Sequence, residues 1–172
     1  MGGPWLLKGS NLIVKAFRDI KRKDYELIVV DAATNVGTTW WDKNYWDIPG
    51  ELKFIKAYTQ DSIDDFFSNI DVLLFPSQWK ESFGLTVREA MVRDVWVIAT
   101  DAGGVVEDLV PGENGTLIPL DGDYVKLKDS IEQALIENAG RNWSNPHKGS
   151  VTTHGDQAAQ LNMIFESLIS DE

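Results

Sequence analysis

Residues 76–104 read P-S-Q-W-K-E-S-F-G-L-T-V-R-E-A-M-V-R-D-V-W-V-I-A-T-D-A-G-G. A strand ends at Pro76, and a polar turn follows. From about Gly84 the spacing predicts a helix, and Val95 to Ala99 is a continuous apolar run of strand length before the Gly103-Gly104 turn. Glu81 and Glu89 stand eight positions apart around the helix start. The first N–H groups of such a helix have no partner within it, so they point at whatever sits beside Glu81. Donors for an anion and acceptors for hydroxyls would then lie side by side, as a phosphorylated sugar or a nucleotide requires. The same residues also fit a strand, a turn and a core helix carrying two surface glutamates. Spacing alone leaves both readings open.

The pattern repeats on either side. Ser10 is placed to cap a helix whose apolar members are Leu12, Ile13, Ala16, Phe17 and Ile20, with Lys21, Arg22 and Lys23 at its C-terminal end. Glu26 to Asp31, Leu52 to Tyr58 and Asp71 to Pro76 read as strands, with a short helix carrying Ile63, Phe66 and Phe67 before the last of them. Downstream, Gly115 to Ile118 is a strand and Tyr124 to Asn138 a helix, with Val125, Ile131, Leu135 and Ile136 as apolar members. Leu161, Ile164, Phe165 and Leu168 mark an amphipathic last helix. Strands alternating with helices predict an α/β, Rossmann-like, doubly wound parallel sheet of five to six strands with helices on both faces. Ligands of such sheets sit beyond the carboxyl ends of the strands, which puts Glu81 on the ligand side.

Length and composition agree with this. A chain of 172 residues is expected to form one domain, residues 1–172, with a real core. A net charge of −11 argues against a nucleic-acid surface, though not against a local basic pocket for phosphate. The absence of cysteine excludes disulfides and thiolate metal sites. No apolar run approaches the roughly 18 residues of a membrane span, and Met1-Gly2-Gly3-Pro4 does not open a signal peptide. A soluble, cytoplasmic domain is expected. Neither G-x-G-x-x-G nor G-x-x-x-x-G-K-[ST] occurs, and His147 and His154 have no companion at metal-ligand spacing, so no metal site is expected.

The runs E-S-F-G-L-T-V-R-E-A-M, V-I-A-T-D-A-G-G-V-V-E and G-E-N-G-T-L-I-P-L-D, with L-L-K-G-S-N-L-I-V-K-A-F and I-D-V-L-L-F-P-S upstream, resemble retaining glycosyltransferases of family 4, the glycosyl transferases group 1. The resemblance is to the C-terminal, nucleotide-sugar-binding half of their GT-B fold. It covers about Leu7 to Asp121, with a weaker echo at the end of the chain.

The resemblance implies a role for each matching residue. Glu89 would accept hydrogen bonds from the nucleotide ribose, because two carboxylate oxygens match a vicinal diol. Glu81 would bind hydroxyls of the donor sugar and help orient its anomeric carbon. The N–H groups near Phe83, Gly84, Leu85 and Thr86 would meet sugar and diphosphate, with glycine at position 84 letting the backbone approach the ligand. Lys8, in L-K-G, would neutralise the diphosphate. Gly103, Gly104 and Glu107 match a G-G-x-x-E turn, read as a bend with a supporting acid. No cofactor is implied beyond the nucleotide-diphosphate sugar as donor substrate. The acceptor is a glycan or lipid-linked glycan, and the full-length enzyme is expected to be cytoplasmic or membrane-peripheral.

Several positions depart from the family pattern. The usual arginine before the lysine is replaced by Gly2 or Gly3, so Arg88 or Arg93 is expected either to compensate or to leave the diphosphate weakly held. Asp31-Ala32-Ala33 replaces a glycine-rich turn, and Arg93, Asp94 and Trp96 replace a small residue, glycine and proline. The strand that should precede Lys8 is missing. The chain is therefore expected to be an excised C-terminal half, inactive alone, whose acceptor-binding N-terminal half lies elsewhere. A degenerate, non-catalytic binding module and an unrelated doubly wound domain are the competing readings. Trp40, Trp41 and Trp46 form an aromatic platform, a contact with the missing half or a membrane interface, or a cluster of the loop's own rings.

Overall fold

The computed structural model describes residues 6–137, 142–152 and 154–170. Gly2 and Gly3, where the family arginine was sought, and Asn138, the expected helix end, lie outside the described residues, as does the side chain of His154. The elements are α1 (Ser10–Asp19), β1 (Glu26–Val30), β2 (Glu51–Ile55), α2 (Ile63–Phe67), β3 (Val72–Phe75), α3 (Leu85–Met91), β4 (Trp96–Thr100), β5 (Gly115–Ile118), α4 (Tyr124–Glu137) and α5 (His154–Ser170). β2 stops at Ile55, three residues before the expected Tyr58.

Every strand pairing is parallel, so within each set of paired strands the loops that follow strands share one rim. Why the sheet runs through the middle of the molecule is clearest at β4, whose five residues are all buried. Val97 and Ala99 face a cluster with Ile63 and Phe67 of α2 and Val87, Ala90 and Met91 of α3. Trp96 and Ile98 face the opposite cluster, with Leu12, Ala16 and Phe17 of α1 and Leu127 and Ile131 of α4. A strand alternates its side chains between faces, so an unbroken apolar run is what a strand covered on both sides needs.

The five strands do not form one continuous sheet. β1 pairs with β2, and β3, β4 and β5 pair in that order, but β1 and β3 are not joined. Between them lies a cavity of about 390 Å³.

Three sequence expectations are corrected by local geometry. Ser10 does not cap α1; it is the first helical residue, and Gly9 takes the cap position in the left-handed region at φ 73°. Its carbonyl accepts the N–H groups of Leu12 and Ile13 at 3.0 and 3.2 Å. In α4 the buried residues are Leu127, Ile131 and Ala134, whereas Val125 and Ile136 are exposed. In α5, Leu161, Ile164, Phe165 and Leu168 are exposed, together with Met163 and Ile169.

At the opposite end from the rim, Asp94 has a φ of 60°, the one non-glycine residue with positive φ among those described. This is why a glycine would be at ease there. Aspartate tolerates the conformation and turns it to use. Its carboxylate accepts from the Ser144 hydroxyl and the Asn145 N–H and pairs with Lys148 at 2.9 Å, tying the late connection to the start of β4.

Candidate functional site

The rim site is built by fastening three loops to one another. The first is the turn Leu6–Lys8 with Gly9. The carbonyl of Leu7 accepts the N–H of Gln78 at 2.7 Å and the hydroxyl of Ser77 at 3.3 Å. A Cβ on Gly9 would stand 1.9 Å from the carbonyl oxygen of Pro76, so only glycine permits this approach. The second loop follows β3, and its buried Ser77 also receives the Thr100 hydroxyl on its carbonyl. The third is the Ala102–Gly104 turn after β4. Ala102 accepts the Glu81 N–H at 2.8 Å, and Glu81 accepts the Gly104 N–H at 2.9 Å. Added Cβ atoms on Gly103 and Gly104 would fall 2.8 Å from the Glu81 oxygen and 2.1 Å from that of Ser82.

Lys8 and Glu81 meet where these loops join. The ammonium lies 2.5 Å from Glu81 Oε1, and the Ser77 hydroxyl donates to the same oxygen at 2.7 Å. Burial pushes the Glu81 carboxyl up, but the hydrogen bonds from Lys8 and Ser77 outweigh it and hold the group below its ordinary value. The acid is therefore an ionised acceptor at neutral pH.

Glu89 is a second, separate acceptor. It sits on α3 and receives the Tyr58 hydroxyl on Oε2 at 2.7 Å. Burial, and then the Glu89 carboxylate, push the Tyr58 hydroxyl well above its ordinary range, so it remains a donor. Among the described residues no hydrogen bond joins Glu89 to Lys8 or Glu81.

The intervening residues have assorted roles. Gly84 is in the left-handed region at φ 70°, and its added Cβ would lie 2.9 Å from Val105 Cγ2. Glycine is thus demanded by the turn and by Val105, before any ligand is considered. Leu85 is exposed and Thr86 half-buried. The N–H groups of Phe83, Gly84, Leu85 and Thr86 take no backbone acceptor among the described residues, while Val87 and Arg88 donate to the Gly84 carbonyl.

Neither candidate replacement cation is available. Arg88 is 7% exposed and lies 3.7 Å over the Phe83 ring. It donates to the carbonyls of Phe83 and Gly104 and pairs with Glu107 at 3.1 Å and Asp108 at 2.6 Å. It clamps the E-S-F-G loop to the G-G turn. Arg93 pairs with Asp64 at 2.6 Å and donates to the Glu89 carbonyl. Both side chains are engaged by these partners, which speaks for the weaker hold on a diphosphate and against compensation by either arginine.

Sequence reasoning missed Ser77, Tyr58 and Asp31. A serine after the strand-ending proline was the available signal for Ser77 and the departure from a glycine-rich turn at Asp31-Ala32-Ala33 for Asp31, whereas Tyr58 had none beyond standing near a strand end. Asp31 is fully buried and accepts from the Ala33 N–H at 3.0 Å, the Thr39 hydroxyl at 2.5 Å and the Trp40 N–H at 3.3 Å, shaping the aromatic loop. Within that loop Trp46 is buried against Trp41 and Phe54 with ring centroids 5.1 and 6.1 Å apart, while Trp40 is exposed. The self-packed cluster accounts for two of the three tryptophans. His147 pairs with Glu113 at 2.7 Å.

A family profile described as "Glycosyl transferases group 1" matches residues 6–146. The capsular polysaccharide biosynthesis glycosyltransferase CapM of Staphylococcus aureus is 27% identical over 166 residues, 95% of this chain and 42% of its own length. Among solved structures, the sucrose-phosphate synthase of Thermosynechococcus elongatus superposes with a TM-score of 0.76 at 20% identity, over 100% of this chain and 45% of that one. Anabaena HepE in complex with UDP-glucose gives 0.69 at 21% identity, over 99% and 47%. The chain thus spans less than half the length of each of these proteins, and it shares the α/β fold of the two superposed structures.

Proposed function

This chain belongs to the glycosyl transferases group 1 family, and from that membership we propose that its 172 residues are the donor-binding domain of a retaining, metal-independent family 4 glycosyltransferase. The reaction moves a hexosyl group from a nucleotide-diphosphate sugar to an acceptor hydroxyl with its configuration kept. Acceptor binding falls to a domain beyond these residues, because the chain spans under half of its relatives. The domain alone is then inactive. A glycan or lipid-linked glycan acceptor is supported by the capsular polysaccharide role printed for CapM.

The observation that carries this reading is the convergence of Lys8 and Glu81 beside the Phe83–Thr86 turn. A glycosyl transfer must stabilise a leaving diphosphate and a positively charged sugar at once. The Lys8 ammonium and the N–H groups of residues 83–86, which take no backbone acceptor among the described residues, serve the first need. The ionised Glu81, fixed by Ser77, accepts from sugar hydroxyls and faces the developing positive charge. Glu89, oriented by Tyr58, takes the ribose diol.

The test is calorimetric titration with UDP, GDP and ADP. At least one is expected to bind, and Glu89→Ala to weaken it by roughly 1.5–3 kcal/mol, the worth of hydrogen bonds to a charged group. Absence of binding by all three at millimolar concentration would remove the proposal, and an unchanged affinity in the variant would remove Glu89 from the site.

One finding favours a second reading, a non-catalytic nucleotide-sugar-binding module. Lys8 is the one cation placed at the site among the described residues, and it is paired with Glu81, while Arg88 and Arg93 are engaged elsewhere. Assaying transfer and donor hydrolysis in a chain joined to an acceptor domain separates the two readings.

A further inference from the structure

Beyond the ends of β3 and β4 the chain runs on as two neighbouring segments, and they are fastened at three levels. Nearest the strands, the Thr100 hydroxyl donates to the Ser77 carbonyl. At the middle level Glu81 and Gly103 form a one-residue parallel bridge. Glu81 gives its N–H to Ala102 at 2.8 Å and takes the N–H of Gly104 at 2.9 Å. At the outer level no backbone hydrogen bond among the described residues joins 82–84 to 104–106. The segments nevertheless approach closely there, since a Cβ on Gly104 would fall 2.1 Å from the Ser82 oxygen.

Arg88 closes that outer level. Side chains on a helix tilt toward its N-terminus, so a long one early in α3 reaches back over the preceding loop. Its Nη1 donates to the carbonyl of Phe83, two residues after Glu81. The same nitrogen donates at 3.2 Å to the carbonyl of Gly104, whose N–H already holds Glu81. One nitrogen thus ties the far ends of both segments. Nε and Nη2 are taken by Asp108 at 2.6 Å and Glu107 at 3.1 Å, from the same stretch of chain as Gly104. Two carboxylates offset the single positive charge, so what Arg88 supplies here is placement. Placement matters because the Glu81 carboxylate meets Lys8 at 2.5 Å and Ser77 at 2.7 Å, contacts that tolerate little backbone drift.

We infer that Arg88 is the positioning residue for Glu81: it locks residues 81–83 to residues 103–104, so that the Glu81 carboxylate stays on Lys8 and Ser77, in place for a donor-sugar hydroxyl. The brace rests on the contacts alone, and its service to a donor sugar rests on the proposed function. Without Arg88 the Glu81 bridge becomes the frayed end of the paired segments, held by two backbone bonds with nothing beyond them.

Hydrogen exchange and carbon-detected NMR of the Glu81 carboxyl test it. In the unaltered chain the amides of Glu81 and Gly104 are expected to be protected although both lie in loops. In Arg88→Met, studied at a temperature where that variant is folded, both are expected to exchange at least roughly tenfold faster. The Glu81 carboxyl is expected to titrate higher than in the parent, because its bonds to Lys8 and Ser77 loosen. Adding Lys8→Met is then expected to raise that titration less than it does in the parent, a coupling that independent sites do not show. Among UDP-glucose, GDP-mannose and ADP-glucose, the one the parent binds most tightly is expected to lose affinity roughly tenfold more than its nucleotide does. Glu81 and Gly104 amides that exchange as open amides in the unaltered chain overturn the proposal with no variant needed. So does an Arg88→Met chain that loses stability with its Glu81 titration unmoved, which assigns Arg88 to the fold alone. Equal losses for nucleotide and nucleotide sugar overturn the service to the donor sugar. A moved titration in a chain that binds no nucleotide supports the brace and removes the donor-site reading instead.

Discussion

Lys8 and Glu81 are 73 positions apart in sequence, and their side chains meet at 2.5 Å. The pairing makes the site self-neutralising. Lys8 is about one-third exposed and Glu81 less so, so the contact is neither a solvated surface pair nor a fully buried one. Under the proposed function, a diphosphate at Lys8 shares the ammonium with Glu81, and a sugar hydroxyl donating to Glu81 eases that competition. Donor sugar and diphosphate are thus expected to bind more strongly together than either does alone.

Lys8→Met checks this coupling. The variant keeps most of the side-chain volume and loses the charge. The Glu81 carboxyl is expected to titrate higher than in the parent chain, read by carbon-detected NMR, because its strongest favourable partner is gone. Affinity for a nucleotide-diphosphate sugar is expected to fall by about 1.5–3 kcal/mol, roughly 10- to 150-fold. A Glu81 titration unmoved by the change would mean that the pair does not form in solution.

Arg88 leads to a prediction about stability. Its guanidinium is buried and holds two carbonyls and two carboxylates at once. Arg88→Met leaves those acceptors without their donor and is expected to cost about 3 kcal/mol, the lower end for breaking a buried pair, since Glu107 remains largely exposed. Arg88→Lys is expected to recover little, because an ammonium cannot reproduce the planar fork. Urea unfolding of both variants measures this, and a loss below about 1 kcal/mol in the methionine variant would contradict the clamp.

Much of this was legible in the sequence, and the reason differs from place to place. The β4 run and the G-G turn announce themselves because apolar runs and glycine are properties of short stretches, whereas L-K-G stands out only by its resemblance to the family. Glu81 and Glu89 stand out by spacing as two acids around a helix start, while their roles are implied only by the resemblance. Their partners Ser77 and Tyr58 do not stand out, since the Tyr58–Glu89 contact spans 31 positions and no local pattern records it. Arg88 was misread for a related reason. Helical spacing gives the direction of a side chain relative to its own helix, but the acids that claim Arg88 come from a loop 19 and 20 positions later.

Acid sensitivity is expected from two carboxylates. Burial raises the Asp94 carboxyl, but Lys148, the Asn145 N–H and Ser144 more than offset it, and Glu81 is likewise held low. A folded value below the unfolded one contributes stability that is fully present above the unfolded value and is lost as pH falls through the folded one. Unfolded values lie near about 3.9 for Asp and about 4.3 for Glu. The urea midpoint is therefore expected to hold between neutral pH and about pH 5 and to fall steadily below about pH 4. Asp94→Asn keeps a residue that tolerates positive φ and is expected to flatten part of that fall. An identical acid limb in parent and variant would remove Asp94 as a contributor.

The aromatic loop separates packing from recognition at two nearby residues. Trp46 is 4% exposed and packs edge-on against Trp41, Tyr45 and Phe54. Trp46→Ala empties that cluster and is expected to cost about 3–5 kcal/mol in unfolding free energy, as large-to-small core changes do. Trp40 is 47% exposed and is held by its backbone N–H on Asp31, which a side-chain change leaves intact. Trp40→Ala is expected to stay within about 0.5 kcal/mol of the parent in the same urea experiment. Its nucleotide affinity then isolates recognition. If the exposed ring stacks on the base, binding weakens by about 1–3 kcal/mol with no change in stability. A large loss of stability in Trp40→Ala would instead assign this ring to the cluster, and unchanged affinity would take it out of the nucleotide site.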